Sequence, residues 1–231
     1  MSSVSHMVRE IVLGDPTLFY CIANDIVNYS KLAKKLKPII SDYLGQEVSN
    51  EAIKMALIRL VEKIKVEGIP TRAEVLDVIA RSSVEVRTGI TIITLRSGRS
   101  IEAVMLLSKL APKSRFLAVM QSVMALTVVL DNETAEEFIR GIGSSGDILQ
   151  IQRDHSAIVI VSPQEIMYIP GVLSYIASIL AQNNINIIHI ESCYTDTIII
   201  VSKDDLLKAF QVISRHIEAA RKSIERKKFP R

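Results

Sequence analysis

The chain of 231 residues has no tryptophan, only two cysteines, and few aromatic residues, which make up 5% of it. Cys21 and Cys193 are too few for a disulfide scaffold or a four-thiolate metal site. The low aromatic content argues against nucleic-acid binding by base stacking. The N-terminus lacks the pattern of a signal peptide, and no long uncharged apolar run predicts a membrane span. These absences predict a cytoplasmic protein without a membrane partner.

Catalytic motifs are missing too. The four histidines, at positions 6, 155, 189 and 216, lie in different segments, and no pair has the spacing of metal ligands on a helix. There is no P-loop and no kinase motif set. Gly141-Ile-Gly143-Ser-Ser-Gly146 matches a dinucleotide-binding pattern, but it follows a predicted helix and precedes a predicted strand, so we interpret it as a helix-ending loop. The sequence predicts no enzyme, no cofactor and no metal site.

Hydrophobic residues make up 48% of the chain and charged residues 23%, which is enough apolar material for a sizeable core. The net charge is +3, and the basic excess lies near the C-terminus, in the sequence ARKSIERKKFPR. We interpret residues 218–231 as a basic tail at a solvated helix end. Contact of this tail with phosphate groups is the alternative.

Residues 1–80 show helical periodicity and predict a small helical domain. Ser30 is the predicted N-cap of the helix that begins KLAKKLK. Pro38 is predicted to break or restart this helix, because proline removes a backbone donor.

The pattern changes after residue 80. Residues 81–154 predict the order β-α-β-β-α-β, with ILQIQ as the last strand, and residues 155–217 repeat the order with AIVIV as the first strand. This order is typical of a ferredoxin-like unit, in which helices cover one face of an antiparallel sheet. The predicted fold class is α+β, with an N-terminal helical domain followed by two tandem ferredoxin-like units. After Ile217 the chain is charged and helical. The sequence therefore does not identify the strand that completes the second sheet.

The strongest candidate site lies in the second unit. A strand runs into a loop with the sequence Ile169-Pro170-Gly171-Val172, which begins a helix, and a predicted strand at 185–187 follows that helix. Glycine at 171 allows a ligand to approach the backbone, and the free N–H groups of the helix start can hold a carboxylate. The amide of Asn186 is a further donor. The pattern indicates a site for a small anion or an amino acid, and an ordinary tight turn is the alternative.

This stretch resembles the ACT domain, a small regulatory module that binds amino acids, and in particular the C-terminal ACT unit of aspartate kinases. The resemblance is clear over residues 156–217 and weaker over 84–152, where Ser97-Gly98-Arg99-Ser100 replaces the expected Pro-Gly. It implies two tandem ACT units and ligand contacts from Ile169, Pro170, Gly171, Val172 and Asn186. It also implies a homodimer or a larger homo-oligomer, because ACT ligands commonly bind between units. The whole chain is similar to archaeal-type predicted regulators of amino acid metabolism that carry an ACT domain.

The helical domain has two interpretations. One is a helix-turn-helix module that binds DNA, although the gap between Leu36 and Ser49 is longer than the usual turn. Its predicted DNA contacts are Lys31, Lys34, Lys35, Lys37, Lys54 and Arg59. The other interpretation is a module for dimerisation or docking. The sequence therefore predicts an amino-acid-sensing regulator of transcription, with a regulatory subunit that docks on a biosynthetic enzyme as the alternative.

Overall fold

The computed structural model describes residues 3–23, 25–66, 72–143 and 145–228. The chain divides into two compact units at residue 72: a helical unit before this point and a sheet unit after it. None of the described helices combines the length and the apolar character that a membrane span requires.

Within the described residues, the helical unit contains four α-helices whose apolar faces share one core. They are α1 (Val4–Gly14), α2 (Pro16–Ala23), α3 (Tyr29–Leu44) and α4 (Asn50–Val66). The residues buried completely in this core are Val8, Val12, Ile22, Ala33, Ile40, Ile53 and Leu57. They follow helical spacing, so each helix buries one face and leaves the other to solvent.

Two predictions for α3 were wrong. Its N-cap is Asn28, whose side-chain oxygen accepts a hydrogen bond from the backbone N–H of Lys31 at 3.0 Å, and Ser30 lies inside the first turn. Pro38 does not break the helix, which continues to Leu44 and ends at Gly45 in the left-handed conformation. The proline ring is exposed, while Leu36 and Ile40 beside it are buried in the core. Burial of this apolar face offsets the hydrogen bond that proline removes.

The described part of the sheet unit contains five α-helices and six strands. The helices are α5 (Arg72–Arg81), α6 (Ser100–Leu110), α7 (Asn132–Ile142), α8 (Val172–Gln182) and α9 (Leu206–Lys228). The strands are β1 (Ser83–Arg96), β2 (Leu117–Gln121), β3 (Ala125–Asp131), β4 (Ile148–Val161), β5 (His189–Cys193) and β6 (Asp196–Ser202). After α5, the order β-α-β-β-α therefore occurs twice.

The six strands form one antiparallel sheet in the order β2-β3-β1-β4-β6-β5. The two predicted strands ILQIQ and AIVIV are both parts of β4, which passes without a break through Asp154 at a positive φ of 59°. Gly89, at a φ of 68°, lies at the corresponding point of β1. The register between β1 and β4 shifts there, as expected for bulges that bend long strands.

Each of the long strands β1 and β4 contributes residues to both halves of the sheet. Residues 90–96 of β1 pair with β3, while residues 83–88 pair with 156–161 of β4. The segment 83–88 thus lies beside the β5-β6-β4 half, as the strand that the sequence analysis left open. The predicted pair of separate six-element units is replaced by two interlocked βαββα halves.

The helices cover one face of this sheet. α6 and α7 pack on the half that contains β2 and β3, around the fully buried Phe138. α5, α8 and α9 pack on the other half. Val75 and Val78 of α5 belong to this second core, so α5 packs with the sheet, whereas the sequence analysis placed residues 73–80 in the helical domain. Ala220, in the predicted basic tail, is buried in the same core, because α9 continues to Lys228. Residues 229–231 of that tail lie outside the described residues.

Candidate functional site

The start of α8 carries the backbone geometry on which the site depends. Gly171 is the N-cap residue and has a φ of 97°. Residues other than glycine rarely adopt this backbone conformation. Its carbonyl oxygen accepts a hydrogen bond from the N–H of Tyr175 at 2.8 Å, which closes the first turn. No side chain caps the helix. The first N–H groups of α8 therefore face outward with the positive end of the helix dipole, an arrangement suited to a carboxylate.

A cavity of about 230 Å³ surrounds this helix start, and residues 166–173 line it. The structure thus brings together four of the five predicted ligand contacts, Ile169, Pro170, Gly171 and Val172. The Val172 side chain is buried in the core beneath the helix, so this residue offers its backbone to the cavity.

The fifth predicted contact, Asn186, is exposed and is not part of this lining. The predicted strand at 185–187 is absent, and regular pairing begins only at His189 of β5. The cause is the end of α8: the N–H groups of Asn184 and Ile185 bond to carbonyl oxygens of the last helical turn, at 3.0 and 3.1 Å. These donors are not free to pair with a neighbouring strand.

The apolar residues of the lining were not predicted from the sequence. Met167, Tyr168 and Leu173 are 44%, 77% and 39% exposed, and they form an apolar rim around the polar helix start. Because they flank the Pro-Gly pair directly, proximity in the sequence was the signal that could have found them. Apolar groups beside a carboxylate-binding terminus suit a ligand that has both a charged and an apolar part.

One charged contact reaches the loop from α5. The Arg81 guanidinium donates to a carboxylate oxygen of Glu165 at 3.0 Å and also bonds to Asp77 on its own helix. A hydrogen bond from the Glu165 backbone N–H and the bond from Arg81 lower the pKa of the Glu165 carboxyl. Glu165 therefore stays ionised at neutral pH and holds the guanidinium.

The corresponding place in the first half is occupied by a side chain. Arg99 is the N-cap residue of α6, where α8 has Gly171. Its guanidinium donates to the carbonyl oxygen of Ile142 at 2.7 Å and lies 2.7 and 3.5 Å from the carboxylates of Glu102 and Asp147. The Arg99 side chain is thus held by internal contacts beside the start of α6, whereas the start of α8 has only a glycine at this position.

In the helical unit, the six predicted DNA contacts fall into two groups. Lys37 pairs with Glu47 at 3.0 Å and Lys54 with Glu51 at 3.6 Å. The other four form no ion pair within the described residues: Lys31, Lys34, Lys35 and Arg59. Lys31 and Lys35 also line a larger, open cavity of about 470 Å³ between α2 and α3. The cavity at α8 contains the predicted backbone donors, whereas the larger one is an open groove.

In the part of the chain that the structure describes, no group of three His, Cys, Asp or Glu side chains is arranged to hold a metal ion. The absence of a metal site and of a cofactor remains a prediction of the sequence.

Residues 150–215 match the family model of the ACT domain. This chain contains an ACT domain. The match runs from β4 into α9 and includes the whole cavity lining. The search among curated proteins found no match.

Solved structures with a similar fold include regulatory regions of aspartate kinases. The aspartate kinase of Clostridium acetobutylicum aligns with 58% of this chain at 16% identity and a TM-score of 0.50. The aligned region is 34% of that kinase, so the chain spans about a third of its length. The regulatory subunit of aspartate kinase from Thermus thermophilus aligns with 58% of this chain and 95% of its own, at 16% identity and a TM-score of 0.48. At 16% identity the similarity to the Clostridium acetobutylicum kinase concerns the fold alone.

Proposed function

We propose that this protein senses an amino acid through its ACT domain and regulates amino acid metabolism in the cytoplasm, without catalysis or a cofactor of its own. The observation that carries the proposal is the uncapped start of α8 at Gly171, which lies inside the ACT match and opens into a cavity. ACT domains bind amino acid effectors and oligomerise.

The chemistry of the cavity supports a free amino acid as the ligand. The N–H groups after Gly171 bind its carboxylate, and the rim of Met167, Tyr168 and Leu173 contacts an apolar side chain. The volume of about 230 Å³ is below the range of roughly 300–1,000 Å³ that is usual for drug-sized ligands, so a small molecule fits it better.

The repeated βαββα order supports a second, modified ACT unit in residues 81–154. In this proposal the first unit is structural, because Arg99 fills the start of α6, and only the second unit binds the effector. A homodimer places the exposed rim against a second copy. The effector then shifts the packing of the units in proportion to its difference in affinity between the two arrangements.

A thermal-shift screen of the full chain against the twenty standard L-amino acids tests the proposal. A ligand present at 100 times its dissociation constant stabilises the protein by about 2.7 kcal/mol, which raises the melting temperature by about 5 °C or more. One amino acid, or a few related ones, should give this shift. No shift at millimolar concentrations of any of them would contradict amino acid sensing.

An isosteric pair of variants locates the site. Gly171→Asp adds a negative charge at the helix start, next to the N–H groups that are expected to bind the ligand carboxylate, and Gly171→Asn adds the same bulk without the charge. Asparagine also tolerates the left-handed conformation better than most residues. We expect Gly171→Asp to weaken binding at least tenfold more than Gly171→Asn does, as measured by isothermal titration. Equal affinities for the two variants would place the carboxylate elsewhere.

Control of transcription is one route by which such a sensor acts. The continuous α3 leaves only residues 45–49 between α3 and α4, so the long gap that argued against a helix-turn-helix is absent. Lys31, Lys34 and Lys35 are exposed on α3 and form no ion pair with any residue that the structure describes. Regulation by DNA binding predicts that the protein binds duplex DNA at low salt and releases it steeply as salt rises.

Docking on a biosynthetic enzyme is the other route, and it is equally compatible with an ACT sensor. The exposed apolar residues of the helical unit favour it, among them Ile39 at 55% and Tyr43 at 67% exposure on α3. Failure of the protein to bind DNA at low salt would select this route.

A further inference from the structure

Helix α5 lies outside the ACT match. Residues near its start and just after its end nevertheless contact the loop of residues 162–171, which joins β4 to α8. Near the start of α5, the Val75 side chain packs against Gly171: a Cβ atom on Gly171 would lie 3.6 Å from Cγ2 of Val75. Directly after the end of α5, the buried hydroxyl of Ser82 lies 3.0 Å from that of Ser162, the first residue of the loop. The Ser82 hydroxyl donates to the carbonyl oxygen of Val78, so Ser162 is the donor between the two.

Arg81 makes the link in the middle of the loop, where it bonds to Glu165. The backbone carbonyl oxygen of Glu165 accepts hydrogen bonds from the N–H groups of Tyr168 and Ile169, both at 3.0 Å. Tyr168 and Ile169 line the cavity, and Glu165 is the residue on which their positions depend. Arg81 therefore holds the base of the ligand loop from a different element.

The far side of α5 is fixed as well. Arg221 of α9 donates to the carbonyl oxygens of Ala80 and Ser82, at 2.7 and 2.9 Å. The end of α5 is thus held between α9 and the loop, so a displacement of the loop meets a helix that is itself anchored. In the sequence, α5 directly follows the segment that leads out of the helical unit.

We propose that Arg81 is a positioning residue for the amino acid site, and that α5 is the element through which the site is coupled to the rest of the chain. The identity of the ligand rests on the proposed function, whereas the Arg81–Glu165 contact is observed independently of it. The Arg81–Glu165 pair keeps the loop in its binding geometry, and ligand binding in turn restricts α5. By linkage, whatever restricts α5 also raises the affinity for the ligand.

The two partners of Arg81 supply a matched pair of variants. Glu165→Gln removes the charge that links Arg81 to the loop, while Asp77→Asn removes the charge that pairs with it inside α5. Both substitutions replace an exposed carboxylate by an amide of the same shape, and both leave Arg81 in place. Only the first should affect the loop.

The contact is tested first without ligand, by hydrogen exchange on the full-length chain. Glu165→Gln should raise the exchange rates of the Tyr168 and Ile169 amides and of residues 76–81 in α5, relative to the wild type. Asp77→Asn should leave the loop amides unchanged. Unchanged loop amides in Glu165→Gln, or equal effects of the two variants on the loop, would overturn the proposal even if no amino acid binds.

The second arm uses the L-amino acid that gives the largest thermal shift with the wild type. Its dissociation constant should rise about two- to fivefold in Glu165→Gln, the range expected for an exposed ion pair, and stay unchanged in Asp77→Asn. Arg153→Ala breaks the distant pair of Arg153 with Glu136 and is the control for loss of a surface ion pair. Binding with unchanged affinity in Glu165→Gln would overturn the proposal, whereas a wild type that binds no amino acid would contradict only the proposed function.

Discussion

Asp131 is a buried carboxylate that accepts four hydrogen bonds. Its side chain is 7% exposed, and it lies at the end of β3 as the N-cap of α7. It accepts hydrogen bonds from the Thr134 N–H at 3.1 Å, the Thr134 hydroxyl at 2.9 Å, the Arg115 N–H at 2.9 Å and the Ser114 hydroxyl at 3.0 Å. Burial raises the pKa of Asp131, but these hydrogen bonds outweigh it and lower the pKa from 3.8 to about 2.

This lowered pKa predicts how stability depends on pH. Because the folded pKa lies below the unfolded one, the Asp131 carboxylate stabilises the protein above about pH 4, and this contribution is lost as the pH falls towards 2. The contribution at neutral pH is about 2 kcal/mol. Asp131→Asn should lower the free energy of unfolding by about this amount at pH 7, and the difference from the wild type should shrink between pH 4 and pH 2. Urea denaturation at several pH values measures it.

Ser202 provides the control, since it lies at the same place in the second half, between β6 and α9. Its hydroxyl oxygen accepts a hydrogen bond from the Asp205 N–H at 3.1 Å. Ser202→Ala removes this hydrogen bond in the turn before α9 without removing a charge and should cost about 1 kcal/mol. A difference between Asp131→Asn and the wild type that stayed constant from pH 7 to pH 2 would show that the ionised form of Asp131 gives no special stability.

Single residues of the site were predictable to the extent that they are neighbours in the sequence. Positions 169–172 form one continuous motif, and the cavity lining contains all of them. Asn186 belongs to another element, and its position depends on how α8 ends and where pairing with β6 begins. Hydrogen bonds over several residues decide both, and no local pattern at Asn186 shows them.

At the scale of elements, helix boundaries were the least predictable feature. The local preference of Pro38 favours a break, but α3 buries Leu36 before it and Ile40 after it in one core. A tertiary contact thus overrides a local preference of about 3 kcal/mol. Lys31, Lys34 and Lys35 lie on the first two turns of this helix, before Pro38.

This arrangement makes α3 the element to test for DNA binding. In the DNA-binding route, Lys34→Glu with Lys35→Glu should abolish the retardation of duplex DNA at low salt, because each lysine that neutralises a phosphate contributes to affinity by counterion release. The measurement is a gel shift at increasing salt concentrations. Lys203→Glu with Lys208→Glu changes the net charge equally in the sheet unit and should preserve binding. Equal losses in both double variants would indicate a general charge effect and would contradict a specific role of α3.

The arrangement of the whole sheet unit follows from two strands that are each shared between its halves. The composition and periodicity of the sequence predicted the strands and helices, and the resemblance predicted the ferredoxin-like order. The sharing was not predictable, because Asp154 looks like the end of a strand and instead forms a bend within β4. Pairing of residues 83–88 with 156–161 joins segments more than 60 residues apart, and only the whole sheet reveals it.

Shared strands predict that the second half cannot fold alone. A fragment of residues 148–231 contains the whole ACT match but lacks β1 and α5. The edge of β4 from 156 to 161 is then unpaired, and the apolar surface of Ile158 and Ile160 loses its cover from Val75 and Val78. We expect no cooperative urea transition for this fragment, followed by circular dichroism, while residues 73–231 should unfold in one transition. A synthetic peptide of residues 73–89 should restore cooperative unfolding to 148–231, because it supplies both α5 and the missing strand. A sharp transition of the fragment without the peptide would contradict the shared-strand architecture as the source of stability.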